Sequence, residues 1–371
     1  MSKTKIAHLT SAHPRFDTRI FVKQCCSLAQ SYDTFLVVAD GKGNEVKNSV
    51  NIIDVGKFQG RKDRMLNAPK AVFEKALDLD AEIYHLHDPE LIPIGLKLKK
   101  YGKKVLFDAH EDLPNQIMSK HYLNSVSKKI IAFLVKAYEK YACAKLDGII
   151  AATPFIRDKF LKINKNTIDI NNYPKLEEFC SIPTDTLKEK QVCYIGGVAD
   201  VRGIVEMVQA INLSESNVKL ILAGNFADRN LEQSVMNMDG WEKVNFLGYV
   251  GRDEIKNTLA LSVAGLVVLH PTRSYLDSLP VKMFEYMCSG IPVIASDFPL
   301  WCSIVKEAKC GICVDPLKSA EIAQAIDYFM NHPDEARLMG ERGRAAVLKK
   351  YNWGIEENKL LKLYESLQGV N

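Results

Sequence analysis

No apolar run in the 371 residues reaches the ~18 that a helix needs to cross a bilayer, so no membrane-spanning segment is expected. The opening stretch carries no long apolar core of a secretory leader. Lys5-Ile-Ala-His-Leu-Thr10 reads instead as a first strand. The nine cysteines are scattered, as suits a reducing cytoplasm. Cys310-Gly311-Ile312-Cys313 is a C-x-x-C without a second pair, and two small residues in a strand and turn account for it better than zinc. Internal repeats with matching motifs and low-complexity tracts are both missing. So is glycine where a dinucleotide fingerprint would need it: Ser11-Ala-His-Pro-Arg-Phe-Asp-Thr-Arg19 follows the first strand with no G-x-G-x-x-G, which disfavours a Rossmann dehydrogenase.

What remains is an ordinary globular composition, 47% hydrophobic and 25% charged. The length suits two domains, and a polar, proline-containing linker at about Cys180 to Lys190 sets them at 1–180 and 181–371. The net charge of +4 is unevenly placed: residues 1–180 carry +8 and residues 181–371 carry −4. A basic first half suggests that this half faces something anionic.

The first half reads as strands alternating with helices, which implies a parallel sheet and an α/β class. A helix is expected from about Ile20 to Gln30, strands at Phe35–Ala39 and Val50–Val55, and a basic loop over Gly60–Asn67 with Arg61, Lys62 and Arg64. Ligands of open α/β sheets bind outside the carboxyl ends of strands. Three strand ends here are polar. The first leads into His13, Arg15, Asp17 and Arg19. Ile83-Tyr-His-Leu-His-Asp88 ends in His85, His87 and Asp88. Lys104-Val-Leu-Phe-Asp-Ala-His110 ends in Asp108, His110, Glu111 and Asp112. A solvated, capped loop explains the first of these equally well. A metal bound by His87, Asp88, His110 and Asp112 is the alternative that the other two raise.

The second half opens on Gln191-Val-Cys-Tyr-Ile-Gly-Gly-Val-Ala-Asp-Val-Arg-Gly203, a strand running into Gly196-Gly197 with a helix starting near Gly203. Small residues let a backbone approach a diphosphate, and Arg202 offers paired donors to its oxygens. Strands at Val218–Gly224, Val244–Val250 and Ala264–Pro271 follow, the first ending in Gly224-Asn225 and the second in Gly248-Tyr249-Val250. Then comes Asp277-Ser-Leu-Pro-Val-Lys-Met-Phe-Glu285 and on to Ser296. Pro280 suits a first helical turn, Val281, Phe284 and Cys288 form an apolar stripe, and Ser289-Gly290 ends the helix. Lys282 and Glu285 lie away from that stripe, and Glu285 leans toward the N-terminal loop that carries Asp277. A helix N-terminus suits a phosphate and a carboxylate beside it suits a ribose diol, so two carboxylates converging there suggest a nucleotide-sugar site. An amphipathic helix with a surface glutamate is the plainer alternative.

Asp277-x7-Glu285 resembles the acidic-x7-acidic signature of retaining glycosyltransferases of family 4, with Asp in place of the usual first Glu. His-Pro-Arg-Phe-Asp-Thr-Arg-Ile (13–20) resembles a subgroup of bacterial polysaccharide glycosyltransferases, and Asn171-Asn-Tyr-Pro-Lys175 is similar to the family's approach to its hinge. The likeness covers nearly the whole chain and is more specific in the second half. It implies a GT-B architecture, two doubly wound Rossmann-like domains facing a deep cleft, with the last helix, from Tyr351-Asn-Trp353, crossing back to the first domain. In the family's G-R…K-G loop, Gly197 stands here in place of the Arg and Arg202 in place of the Lys, so one cation is missing and Lys282 is a substitute.

The resemblance further implies a donor site of Gly196, Gly197, Arg202, Asn225, Tyr249, Val250, Asp277, Ser278, Leu279, Pro280, Val281, Lys282 and Glu285. His110, Asp277 and Arg202 would be its catalytic groups. His13, Arg15, Asp17, Arg19, His87 and Asp88 fall on the acceptor side. No metal or other cofactor is called for.

Ser125 to Lys145 is a basic amphipathic stretch. Ile130, Ile131, Phe133, Leu134, Ala137, Tyr138 and Tyr141 give the apolar side, and Lys128, Lys129, Lys136, Lys140 and Lys145 the charge. Such a helix either lies on anionic lipid or packs in a core behind a solvated lysine edge. The expected protein is therefore a cytoplasmic enzyme, peripheral on the inner face of the membrane. It would move a sugar from a UDP-sugar (UDP-GlcNAc, UDP-GalNAc or a UDP-hexose) to a lipid-linked glycan in cell-surface polysaccharide synthesis, with no nucleic-acid partner. A nucleotide-sugar epimerase on the same fold, a phosphorylase, and a non-catalytic nucleotide-sugar or glycan-binding subunit are the rivals.

Overall fold

The computed structural model describes residues 3–118, 124–183 and 186–369. Thr184 and Asp185 of the expected linker, and the side chain of Arg61, lie outside the described residues. The chain divides into two compact units, Met1–Asn172 with Glu356–Asn371, and Tyr173–Ile355. The sequence put the division at 180. Tyr173 packs edge-on against Phe284 at 4.7 Å and Tyr351 at 5.4 Å, and buried Phe179 joins the same core, so this segment goes with the second unit.

The first unit is built on an eight-stranded sheet. Its strands are β1 (Lys5–Leu9), β2 (Asp33–Val38), β3 (Glu45–Lys47), β4 (Val50–Asp54), β5 (Ile83–Leu86), β6 (Lys104–Ala109), β7 (Gly148–Ala151) and β8 (Thr167–Asp169). They lie in the order β3-β4-β2-β1-β5-β6-β7-β8, all parallel except the antiparallel edge pair β3–β4. The apolar runs of β1, β5 and β7 are almost wholly buried, as expected of parallel strands covered on both faces. The strand order reverses between β1 and β5, so the loops after these two strands open a crevice at their carboxyl ends.

Two local readings change. The stretch 60–67, expected as a loop, is the start of a helix over Gly60–Leu79. Ala68, Val72, Ala76 and Leu79 recur at helical spacing and are buried, and they carry the helix past its basic first turns. The expected helix Ile20–Gln30 starts earlier and is wound wider, as a π-helix over Thr18–Cys25 followed by one turn at Cys26–Leu28. Asp17 caps it, accepting the N–H groups of Arg19 and Ile20 at 2.8 and 2.9 Å.

The second unit holds six parallel strands, β9 (Gln191–Ile195), β10 (Lys219–Ala223), β11 (Val244–Gly248), β12 (Ala264–Val267), β13 (Val293–Ser296) and β14 (Gly311–Val314). Their order, β11-β10-β9-β12-β13-β14, is that of the doubly wound nucleotide-binding sheet, with its switch point between β9 and β12. Tyr286, fully buried, accepts the Ile195 N–H at 2.9 Å and fixes the helix Val281–Cys288 to the end of β9. The helix Trp353–Leu367 begins in this unit and from Glu356 belongs to the first. Glu356 accepts the Asn171 N–H at 2.8 Å there. Among the described residues no helix is long and apolar enough to cross a membrane.

Candidate functional site

The second unit's switch point is bare backbone by design. Gly224, at the end of β10, has φ +142°, and a Cβ there would stand 1.9 Å from the Gly196 carbonyl oxygen. Only glycine allows the loops after β9 and β10 to touch. Gly203 repeats the device with φ +76° and a Cβ position 2.0 Å from the Val268 oxygen, which sets the Arg202 turn against β12.

Into this space come Arg202 and Lys282. Arg202 donates to the Gly197 carbonyl at 3.0 Å, an oxygen that also accepts from the Tyr194 hydroxyl at 2.9 Å. Burial works against the charge of Arg202, but the Tyr275 and Tyr194 hydroxyls outweigh it and raise its pKa further. Lys282 is half-buried as a residue, while its Nζ is shut off from solvent and has no hydrogen-bond partner. That amine lies 3.5 Å from the centre of the Tyr194 ring and 3.0 Å from where a Cβ on Gly196 would sit. Burial, then the Arg202 charge, pulls its pKa well below the usual lysine range.

The helix Val281–Cys288 starts after Pro280 with no side chain capping it. Met283 N–H turns back to the Pro280 carbonyl at 3.0 Å, and the Val281 and Lys282 amides before it remain for another acceptor. Ser278 is held in place at both ends, its hydroxyl donating to the Tyr275 oxygen at 2.9 Å and its carbonyl accepting from Trp301 Nε1 at 2.7 Å. Leu279 and Val250 lean on the apolar core, Asn225 and Tyr249 are exposed, and Asp277 is half-buried just beyond a short helix over Arg273–Leu276. Glu285 faces Arg252 at 3.4 Å, and Arg252 also holds Glu178 at 2.7 Å.

In the first unit the three polar strand ends meet. Asp108, fully buried on β6, takes Arg19 in a fork, Nε at 3.0 Å and a terminal nitrogen at 2.7 Å, and accepts from Gln24 at 2.7 Å. Burial opposes the carboxylate's charge, but Arg19 and the nearby imidazoles more than offset it, and its pKa lies well below the usual range. Around it stand His110 Nε2 at 3.3 Å, His87 Nδ1 at 3.6 Å and His85 Nε2 at 3.9 Å. None of these three nitrogens is aligned for a hydrogen bond. Behind them His8 Nδ1 meets His87 Nε2 at 2.9 Å, and the Tyr364 hydroxyl meets His85 Nδ1 at 2.9 Å. Burial, then the neighbouring imidazoles, pulls His8, His85 and His87 well below the usual histidine range, so they stand neutral.

The grouping of His87, Asp108 and His110 has metal-like spacing. Asp108 Oδ2, however, already accepts from Gln24 and Arg19, and the guanidinium supplies the counter-charge a cation would bring. A metal here would have to displace one of them. Asp88 Oδ2 serves the β1 loop, accepting from the Thr10 hydroxyl and the Ser11 N–H at 2.7 Å each. His13 sits between Asp88 at 3.4 Å and Asp17 at 3.8 Å, with its ring 4.9 Å from that of His110.

Residues 181–346 match the family model for glycosyl transferases group 1, a span that contains the Gly196–Gly203 turn, Gly224, Lys282 and Glu285. The second unit thus carries a glycosyltransferase group 1 domain. Its fold is GT-B: a sucrose-phosphate synthase from Thermosynechococcus elongatus superposes with a TM-score of 0.77 at 18% identity, over 100% of both chains. The Anabaena protein HepE, solved with UDP-glucose, gives a TM-score of 0.74 at 14% identity over 98% of this chain and 99% of its own. An α-D-kanosaminyltransferase from Streptomyces kanamyceticus is 20% identical over 68% of this chain and 70% of its own.

Several residues singled out from sequence play parts in the glycosyltransferase other than those expected of them. Arg15, taken as an acceptor-side cation, is buried and turned inward, donating to both oxygens of Asp40 at 2.6 and 2.7 Å and to Glu45 at 2.5 Å. Arg19 is spent on Asp108 and the Ile170 carbonyl. Asp17 is the helix cap, and His87 and Asp88 are buried. His13 and His110 keep part of their surface, with side chains 30% and 20% exposed. Lys282, read as lying on the face away from the core, points its amine inward. Arg252 was not singled out at all, since its link to Glu285 spans 33 residues. His8 did carry a signal, a polar residue inside the apolar first strand; Tyr364, 279 residues from His85, carried none.

Proposed function

We propose that this glycosyltransferase takes a UDP-sugar and passes the sugar, with retention at the anomeric carbon, to a lipid-linked glycan at an anionic membrane surface. The observation that carries the donor half is the switch-point pocket: bare glycine backbone, an arginine and an enclosed lysine amine at the mouth of β9, where a doubly wound sheet receives phosphates. The base is assigned as uracil by likeness to HepE, which was solved with UDP-glucose. The acceptor half follows from the exposed apolar, lysine-edged helix Ser125–Cys143.

In this reading Glu285 binds the ribose diol, Arg202 and Lys282 meet the diphosphate, and Asp277 holds sugar hydroxyls. The acceptor oxygen bonds to the anomeric carbon on the face from which the phosphate oxygen departs, and the acceptor's proton passes to that phosphate. The developing charge is met by side-chain cations and helix amides, so the reading needs no metal.

Two expected results follow. Arg202→Ala or Glu285→Gln should weaken UDP binding by about 1.5–3 kcal/mol, roughly 10- to 150-fold in Kd, the cost of one charged hydrogen-bonding partner. Titration calorimetry with UDP and, for comparison, GDP reads this directly. If both variants bind as the parent does, the donor site is elsewhere. Asp277→Asn should cut turnover while UDP affinity stays near that of the parent. An equal loss of UDP affinity would move Asp277 from the sugar to the nucleotide. An epimerase would convert donor alone, so isomerised donor without acceptor would support that rival.

A further inference from the structure

Lys282 is the one feature of the donor pocket that makes poor sense in the empty protein if it is charged. An ammonium carries three donors, and buried ones without acceptors are unfavourable. Here the Nζ is enclosed and has no hydrogen-bond acceptor, with the face of the Tyr194 ring at 3.5 Å. The groups around it do not supply a counter-charge. On β9, Cys193 is held neutral by burial, its pKa pushed up to about 12, and the Tyr194 hydroxyl is neutral for the same reason, also at about 12. Across Gly197 stands Arg202, a second cation, with the Tyr275 hydroxyl on it. On its own helix Glu285 favours the charged form, but it is shared with Arg252 at 3.4 Å.

The same amine is well placed once something anionic arrives. Beside it lies Gly196, where a Cβ would stand 3.0 Å from Nζ, so no side chain blocks a ligand oxygen from that side. We propose that Lys282 stands uncharged in the empty pocket and takes up a proton as the donor's diphosphate enters, so that nucleotide binding is proton-coupled. The proton comes from solvent, the neutral amine becomes an ammonium, and the new charge pairs with a phosphate oxygen. This assignment rests on the reading of the pocket as the diphosphate site.

Two consequences follow. First, the pocket distinguishes a diphosphate from a neutral ligand of similar shape, because only the anion stabilises the protonated amine. Second, by linkage, a site that binds one more proton with ligand than without must lose affinity as pH rises, approaching tenfold per pH unit while the full proton is taken up. The sign follows from the direction of the shift: the amine's pKa is depressed in the empty pocket and raised by the phosphate, so the loss begins above the depressed value.

The test is calorimetric titration of the full chain with UDP in buffers of differing ionisation enthalpy at about pH 8, above the titration of a terminal phosphate at about 6. The heat of the parent protein should vary linearly with buffer enthalpy, with a slope approaching one proton taken up. Lys282→Arg, permanently charged, should bind UDP with a slope near zero, and Lys282→Met should also lose the slope. Should either variant fold poorly, the Lys282 side-chain 13Cε resonance of the parent, followed at constant pH, should move from its neutral to its charged position on adding UDP. UDP binding with no buffer dependence overturns this proposal alone, as does an unchanged slope in Lys282→Met or a 13Cε resonance already in the charged position. If neither UDP nor GDP binds, the reading of the pocket fails and takes this proposal with it.

Discussion

His110→Ala is expected to lower kcat about a hundredfold or more while KM for the donor changes little, the pattern of a group that acts mainly in the transition state. The expectation comes from how rigidly the protein supports this ring. β6 delivers it at a strand end, and two residues earlier Asp108 is locked by Arg19, Gln24 and full burial. His110 Nε2 lies 3.3 Å from that carboxylate, and the ring leans on His13 at 4.9 Å and His87 at 5.7 Å. A buried carboxylate, three neutral histidines and an arginine are much polar material to enclose behind one partly exposed imidazole, and simple stability does not require it. His110→Gln, which keeps a polar end near Asp108, should recover only part of the loss. Steady-state kinetics of both variants with donor and acceptor varied in turn decide the matter. Full activity in His110→Ala removes the residue from the chemistry, and a large rise in KM with kcat intact makes it a binding group.

The parallel sheets were readable because their strands are short apolar runs between turn residues, and burial on both faces makes such runs continuous. The elements of the proposed donor pocket could be picked out for a related reason: a glycine pair, an arginine and the Asp277–Glu285 spacing are local patterns, and chain order places them after β9 and β12, at the switch point. The readings that changed depend on direction or on distance. Lys282 is off the apolar stripe by periodicity, yet its long stem carries the amine under Tyr194, which no helical wheel records. Arg15 and Arg19 look like loop cations, but their carboxylate partners lie 25 and 89 residues away. The stretch 60–67 reads as a loop because its first turns are basic; its helix is fixed by Ala68 to Leu79 against the sheet.

The helix Ser125–Cys143 leads to the other large effect, loss of lipid binding. Its last turns are tied down: Glu139, Ala142 and Cys143 are buried, and Glu139 pairs with Lys159 at 2.8 Å. The turns before them are not. Val126, Ile130, Phe133, Leu134 and Tyr138 are all exposed, Phe133 by 70%, and Tyr141 joins them from the last turns. Soluble proteins seldom leave an apolar run of this size in water without a use for it. Lys128, Lys129, Lys136, Lys140 and Lys145 border it, and the half of the chain that carries it has a charge of +8. Apolar rings at acyl-chain depth with lysines at the headgroups is the arrangement of an interfacial helix. Each lysine near an anionic leaflet contributes about 1 kcal/mol, and salt screens it within a Debye length of about 10 Å. Changing Lys128, Lys129 and Lys136 together to Glu should therefore weaken binding to phosphatidylserine-containing vesicles by at least about 3 kcal/mol, more than a hundredfold. Phe133→Ser with Leu134→Ser should weaken what binding remains at high salt, where the apolar contribution persists. Vesicle sedimentation across a salt series measures both, and UDP affinity should stay unchanged in each variant, because the helix belongs to the first unit and the proposed nucleotide pocket to the second. If the parent protein ignores anionic vesicles at low salt, or the triple variant binds them equally well, this face has another partner and a soluble acceptor replaces the lipid-linked one.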